Sequence, residues 1–113
     1  MTDRRAALER DKREVEEAIR TANRSLGLLF DAQRDSTADD EHDPEGPTLS
    51  LQRAESEAML AQSYRHLAEV EAAMGRMDAG SYGLCVTCGR DIHPARLDAR
   101  PYAAQCISCA SKR

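Results

Sequence analysis

A long antiparallel helical hairpin (a coiled coil) with an acidic tip loop, followed by a small four-cysteine finger, is the mainly α fold this chain predicts, from three observations. Apolar residues recur at heptad spacing in two stretches, an acidic run without Lys or Arg separates them, and two Cys-x-x-Cys pairs follow. With one Phe, no Trp and three Tyr among 113 residues, a thick globular core is not expected.

The first helix is expected over residues 3–34. Leu8, Val15, Ala22 and Leu29 recur every seven residues, and Ile19 and Leu26 fall four after Val15 and Ala22, so all six line one seam. Opposite charges fill its other faces. The second helix is expected over 48–79, with Leu60, Leu67 and Met74 in one heptad position and Leu49, Val70 and Met77 in the other, interrupted by Ser56 and Ser63. Pro47 and Thr48 mark its start and Gly80 its stop.

Between them, residues 35–47 hold six acids and no Lys or Arg, and Pro44, Gly46 and Pro47 give the stretch the composition of a loop. Matching seams and a short connection predict an antiparallel hairpin over 1–79. At 1.5 Å per residue, helices of about 30 residues put the acidic loop roughly 45 Å from the finger at 80–113. Carboxylates gathered at the end of a narrow rod are repelled by nucleic acid and attracted to bound Mg²⁺ or a basic wall; a loop kept extended and soluble by its charge is the plainer alternative.

The finger carries the chemistry. Cys85 and Cys88, then Cys106 and Cys109, form two Cys-x-x-Cys pairs with seventeen residues between them, the spacing of a structural zinc site. Two residues between paired thiolates let one tight turn present both sulfurs to an ion, and the longer interval returns the second pair. Gly89 suits that turn. One Zn²⁺ held by four thiolates has no open position for water, so hydrolysis at the metal is not expected. His93 with Pro94 is read as opening a short helical turn rather than as a ligand, and His42 and His66 as solvated. A redox dithiol would want a single pair beside a strand–helix unit, which is not readable here.

Gly80-Ser-Tyr82-Gly83-x-Cys85-x-x-Cys88-Gly89-x-x-Ile92, then Arg96-Leu97-x-Ala99-Arg100-Pro101 and Cys106-x-x-Cys109, resemble the zinc finger of the DksA/TraR family of bacterial transcription factors. The preceding hairpin fits the same family. The resemblance implies a non-enzymatic regulator that binds RNA polymerase rather than DNA, inserts its hairpin through the secondary channel and sets acidic tip residues near the catalytic centre. Some members respond to ppGpp, bound at their interface with polymerase. The family's tip motif, Asp-x-x-Asp-x-Ala, is met by Asp40-Glu-His-Asp43-Pro-Glu45, with Glu45 where the family has alanine. The sequence ends four residues after Cys109, so the C-terminal helix that longer members use is not expected. Arg90, Arg96 and Arg100 give the finger end a mildly basic face, either solvated or set against an acidic rim of a partner.

A zinc-stapled coiled-coil interaction module with another partner is the competing reading. Specific DNA binding fits poorly with a net charge of −4 and no aromatic-rich basic patch. No nucleophile, base and oxyanion donor stand at readable spacing, so an enzyme is not expected. Neither a membrane span nor a secretory signal is readable, and a cytoplasmic monomer is expected.

Overall fold

The computed structural model describes residues 3–39 and 46–112. Among them the elements run α1 (Arg4–Asp39), α2 (Gly46–Ala79), α3 (Pro94–Ala99) and α4 (Ile107–Ala110). One antiparallel bridge pairs Leu84 with Asp91. None of these helices is long and apolar enough to cross a membrane.

Local chemistry sets the helix ends. Asp3 caps α1: its carboxylate accepts the Ala6 N–H at 3.1 Å and its carbonyl the Ala7 N–H at 3.1 Å. α1 runs on to Asp39, past the expected end at Arg34, because 35–39 contain neither Gly nor Pro to stop it. α2 starts at Gly46, with Pro47 in the first turn, where a missing N–H costs no helical bond. It ends as expected at Gly80, whose φ of 82° lets the Gly80 N–H reach the Met77 carbonyl (3.2 Å) and the Ser81 N–H the Arg76 carbonyl (2.9 Å). That bond pair is a Schellman motif. The tip residues Asp40, Asp43 and Glu45, and His42, lie outside the described residues.

The chain divides into two compact units. In one, Val15–Arg65, the described residues belong to α1 and α2. Val15, Ile19 and Leu26 are buried and Ala22 and Leu29 half-buried, so the predicted α1 seam is the inner face. The α2 stripe is half-buried at Leu49, Arg53, Ser56, Leu60 and Ser63, with alternating steps of four and three. Arg53 occupies a seam position because its guanidinium lies over the Phe30 ring, 5.1 Å from the centre. The outer faces carry exposed pairs, Glu17–Arg20 (2.6 Å) and Asp31–Arg34 (3.1 Å), which contribute little stability. Arg20 holds the Glu17 carboxyl below its usual range.

The other unit joins Met1–Glu14 to His66–Arg113. The finger residues thus share one compact unit with the start of α1 and the end of α2. Leu8, Val70 and Ala73 have no exposed surface and are ringed by Met74, Met77, Tyr82 and Tyr102. Arg5 meets Asp78 at 3.0 Å and Asp11 meets His66 at 2.9 Å, so partners descend α2 as they climb α1, the antiparallel pairing expected. His66 is half-buried and partnered rather than simply solvated: besides Asp11 it takes the Tyr102 ring edge-on at 4.6 Å. Arg4 ties the start of α1 to the Asp98 carboxylate.

Tyr82 belongs to both cores of this unit. It packs on the Leu8 cluster and on a second one of Cys85, Ile92, Leu97 and Ala103 inside the finger. Its hydroxyl donates to the Pro101 carbonyl at 2.8 Å, and burial raises its pKa.

Candidate metal centre

The finger is built from short local devices that aim four sulfurs at one point. Cys85 and Arg90 are linked by the Cys85 N–H to the Arg90 carbonyl (2.8 Å), and the Ile92 N–H donates to the Gly83 carbonyl (2.8 Å), which makes a narrow hairpin of 83–92. At its turn Gly89 takes φ 78°, where a side chain would be strained, and donates to the Cys85 carbonyl at 2.9 Å. The first Cys pair is thereby curled onto one side. The second pair opens α4: Cys106 is its N-cap residue, and the Ala110 N–H returns to the Cys106 carbonyl at 2.9 Å.

Between the pairs, α3 fills the interval. His93 caps it, its Nδ1 accepting the Ala95 N–H at 3.0 Å with Pro94 at the first position, so its role is the structural one expected. Leu97 from α3 joins Ile92 in the finger core.

The four sulfurs of Cys85, Cys88, Cys106 and Cys109 all lie within 4.8 Å of one another. Zinc–thiolate bonds of about 2.3 Å in a tetrahedron put neighbouring sulfurs about 3.8 Å apart. Cys88 Sγ and Cys106 Sγ stand at 3.8 Å, far beyond a disulfide and at that tetrahedral edge. The donor set and its spacing fit one structural Zn²⁺ with a closed shell. Cys85 is buried at the back of the site and Cys88 is exposed at the front.

Electrostatics distribute protons unevenly over the cluster. Backbone N–H groups of Cys106 and Cys88 aimed at Cys85 lower its thiol to about 6. The Cys109 N–H lowers Cys106 as well, whereas Cys109, hydrogen-bonded by the Cys106 sulfur, is pushed up to about 12. A cation is what lets all four ionise together. An unfolded chain holds these protons near pH 9, and Cys85 sheds its own in the fold, so its contribution is full above pH 9 and lost as pH falls through about 6. Loading zinc at neutral pH is therefore expected to release a proton from Cys109, and acidification to drive the metal off as protons compete for the thiolates. A colorimetric chelator followed against pH checks this; occupancy that rises on acidification would contradict it.

The three finger arginines have different surroundings. Arg90 is exposed, with its carbonyl in the hairpin. Arg96 is half-buried, and its Nε donates to the Gln105 carbonyl at 2.8 Å. Arg100 is exposed and shares with Arg96, Arg76 and Glu69 the lining of a cleft of about 230 Å³. Arg76 was not singled out by the sequence; its guanidinium reaches the Tyr102 and Ala103 carbonyls at 3.4 and 3.5 Å, and its Nε is buried without a hydrogen-bond partner among the described residues.

A helical hairpin whose base is clamped by a four-thiolate zinc finger is the class of protein these features define. Residues 80–113 match the model of the prokaryotic dksA/traR C4-type zinc finger. It is 29% identical over 96 residues to the RNA polymerase-binding transcription factor DksA of Haemophilus influenzae (strain ATCC 51907 / DSM 11121 / KW20 / Rd), covering 83% of this chain and 62% of that one. A protein of Aquifex aeolicus (strain VF5) described only as uncharacterized is 37% identical over 46 residues, 41% of this chain and 32% of its own. The matches thus span about a third and about three-fifths of these relatives' lengths. In fold, the chain is similar to transcription factor DksA2 from Pseudomonas aeruginosa, with a TM-score of 0.56 at 22% identity over 93% of this chain and 81% of that one.

Proposed function

We propose that this chain is a non-enzymatic, cytoplasmic transcription regulator that binds RNA polymerase, entering the secondary channel hairpin first with Asp40, Asp43 and Glu45 near the catalytic centre. The similarity to a DksA named as RNA polymerase-binding carries this reading, because it runs over 83% of the chain and so includes the hairpin as well as the finger. The zinc site contributes architecture rather than chemistry: four thiolates close the shell, and the finger packs onto the base of the helices that bear the tip. Arg76, Arg96 and Arg100 around one cleft give the finger end a cationic face for an acidic rim of polymerase or for ppGpp at the interface. In this reading the protein acts as a monomer and does not recognise DNA sequence.

Exposed Leu28, Leu51 and Met59 on the Val15–Arg65 unit favour one alternative, a zinc-stapled coiled coil that docks another chain. A pull-down separates the two. Polymerase core subunits are expected with the wild type, and Asp40→Ala with Asp43→Ala is expected to retain binding while abolishing the effect on transcription in vitro, with and without ppGpp. Recovery of no polymerase, together with a dimer by light scattering, would replace the first reading by the second.

A further inference from the structure

The two halves of the zinc site are bridged by a side chain with no part in coordination. Gln105 precedes Cys106, and its Nε2 donates to Thr87 Oγ1 at 2.8 Å; Thr87 precedes Cys88. The same Gln105 accepts the Arg96 Nε at 2.8 Å through its carbonyl, which anchors it to α3. Beside them the Val86 N–H donates to the Ala104 carbonyl at 2.8 Å. One residue thus holds the first Cys pair, α3 and the second Cys pair in a single chain of bonds.

Its position on the site matters more than its strength. Cys85 is sealed in the finger core, so zinc has no exit on that side. Cys88 is exposed, and its sulfur faces that of Cys106 at 3.8 Å. Opening that edge requires the peptide carrying Thr87 to swing away from the peptide carrying Gln105, which breaks the bond between their side chains.

We infer that Thr87, Gln105 and Arg96 form a clasp across the open edge of the metal centre, positioning residues that set how fast zinc leaves rather than whether the finger folds. The bond between Thr87 and Gln105 is exposed, and water replaces it cheaply in the unfolded chain, so its loss leaves equilibrium stability nearly unchanged. Arg96 acts one step back, by fixing the Gln105 peptide, and its guanidinium is for that reason turned inward along part of its length.

The test is zinc release from the full zinc-loaded chain into excess chromophoric chelator at neutral pH, with Thr87→Val, Gln105→Ala, their double variant, Thr87→Ser and Arg96→Met. Thr87→Val and Gln105→Ala are each expected to speed release about threefold to tenfold. The double variant should be no faster than either single one, because both remove the same bond. Thr87→Ser, which keeps the hydroxyl, should release at the wild-type rate, and Arg96→Met should release faster than wild type. Each variant is expected to carry one zinc by mass spectrometry and to show an unaltered tetrahedral Co²⁺ spectrum, which a general loss of structure would not allow. Wild-type release rates in both Thr87→Val and Gln105→Ala would overturn the clasp. So would single effects that multiply in the double variant.

Discussion

Stripping zinc from the protein is expected to unfold residues 80–112 while leaving most of the helical signal in place. The finger core contains two sizeable apolar side chains, Ile92 and Leu97, beside Cys85 and Ala103. So small an apolar core cannot offset the conformational entropy of ordering this segment, and metal binding, which is coupled to folding, supplies what is missing. α3 and α4 are only 6 and 4 residues long, so their loss barely dents the far-UV circular dichroism set by α1 and α2. Amide resonances of 80–112 should instead collapse to the narrow spread of an unfolded chain. Cys85→Ser is expected to reproduce the effect of the chelator, since it removes the most buried ligand and the thiol most readily ionised. Metal-free protein whose finger resonances stay dispersed would show that the sulfur cluster is not the finger's main support.

The same experiment bears on the boundary that the sequence suggested. Tyr82 and Tyr102 come from the finger but help bury Leu8, Val70 and Ala73 at the base of the helices. Losing zinc should therefore also loosen the first turns of α1 and the last of α2. Nothing in the heptad pattern shows this coupling, because a tyrosine beyond the end of a helix carries no period. His66 was misread for a related reason: its partners Asp11 and Tyr102 lie 55 and 36 positions away in sequence and are brought in only by the fold.

Other features were legible to different degrees, and the differences have physical causes. The zinc ligands could be read directly, since a tetrahedral ion imposes a spacing on the chain, and the four sulfurs converge as that spacing requires. The α1 seam was equally clear, because Leu8, Val15, Ile19 and Leu26 are apolar and each is buried. Arg53 hid within the α2 stripe: a charged residue breaks an apolar pattern even when its stem lies along the seam and its head over an aromatic ring. α1 outruns the expected end at Arg34 because acidic composition alone does not stop a helix and 35–39 contain no residue that breaks one. The link from Gln105 to Thr87 had no signature at all, being a contact between two ordinary polar residues that only the metal geometry brings side by side.

Leu8→Ala should be the most damaging single substitution in the helices, lowering stability by about 3 kcal/mol in the zinc-loaded protein. Leu8 has no exposed surface and packs in one cluster with residues from α2 and the finger. Its removal leaves a cavity whose walls come from α2 and from the finger. For a chain of this length the loss corresponds to a fall in melting temperature of about 12 °C. Leu28→Ala is the matched control: the same atoms are deleted, but Leu28 is 71% exposed, so a change within about 0.5 kcal/mol is expected. Thermal melts at saturating zinc compare the two without disturbing the metal. Equal effects would mean that Leu8 does not sit in a packed core, and the claim that finger and helix base form one folded body would fail with it. A large effect at Leu8 alone ties the stability of the finger to the first turns of a helix more than seventy positions earlier in the sequence.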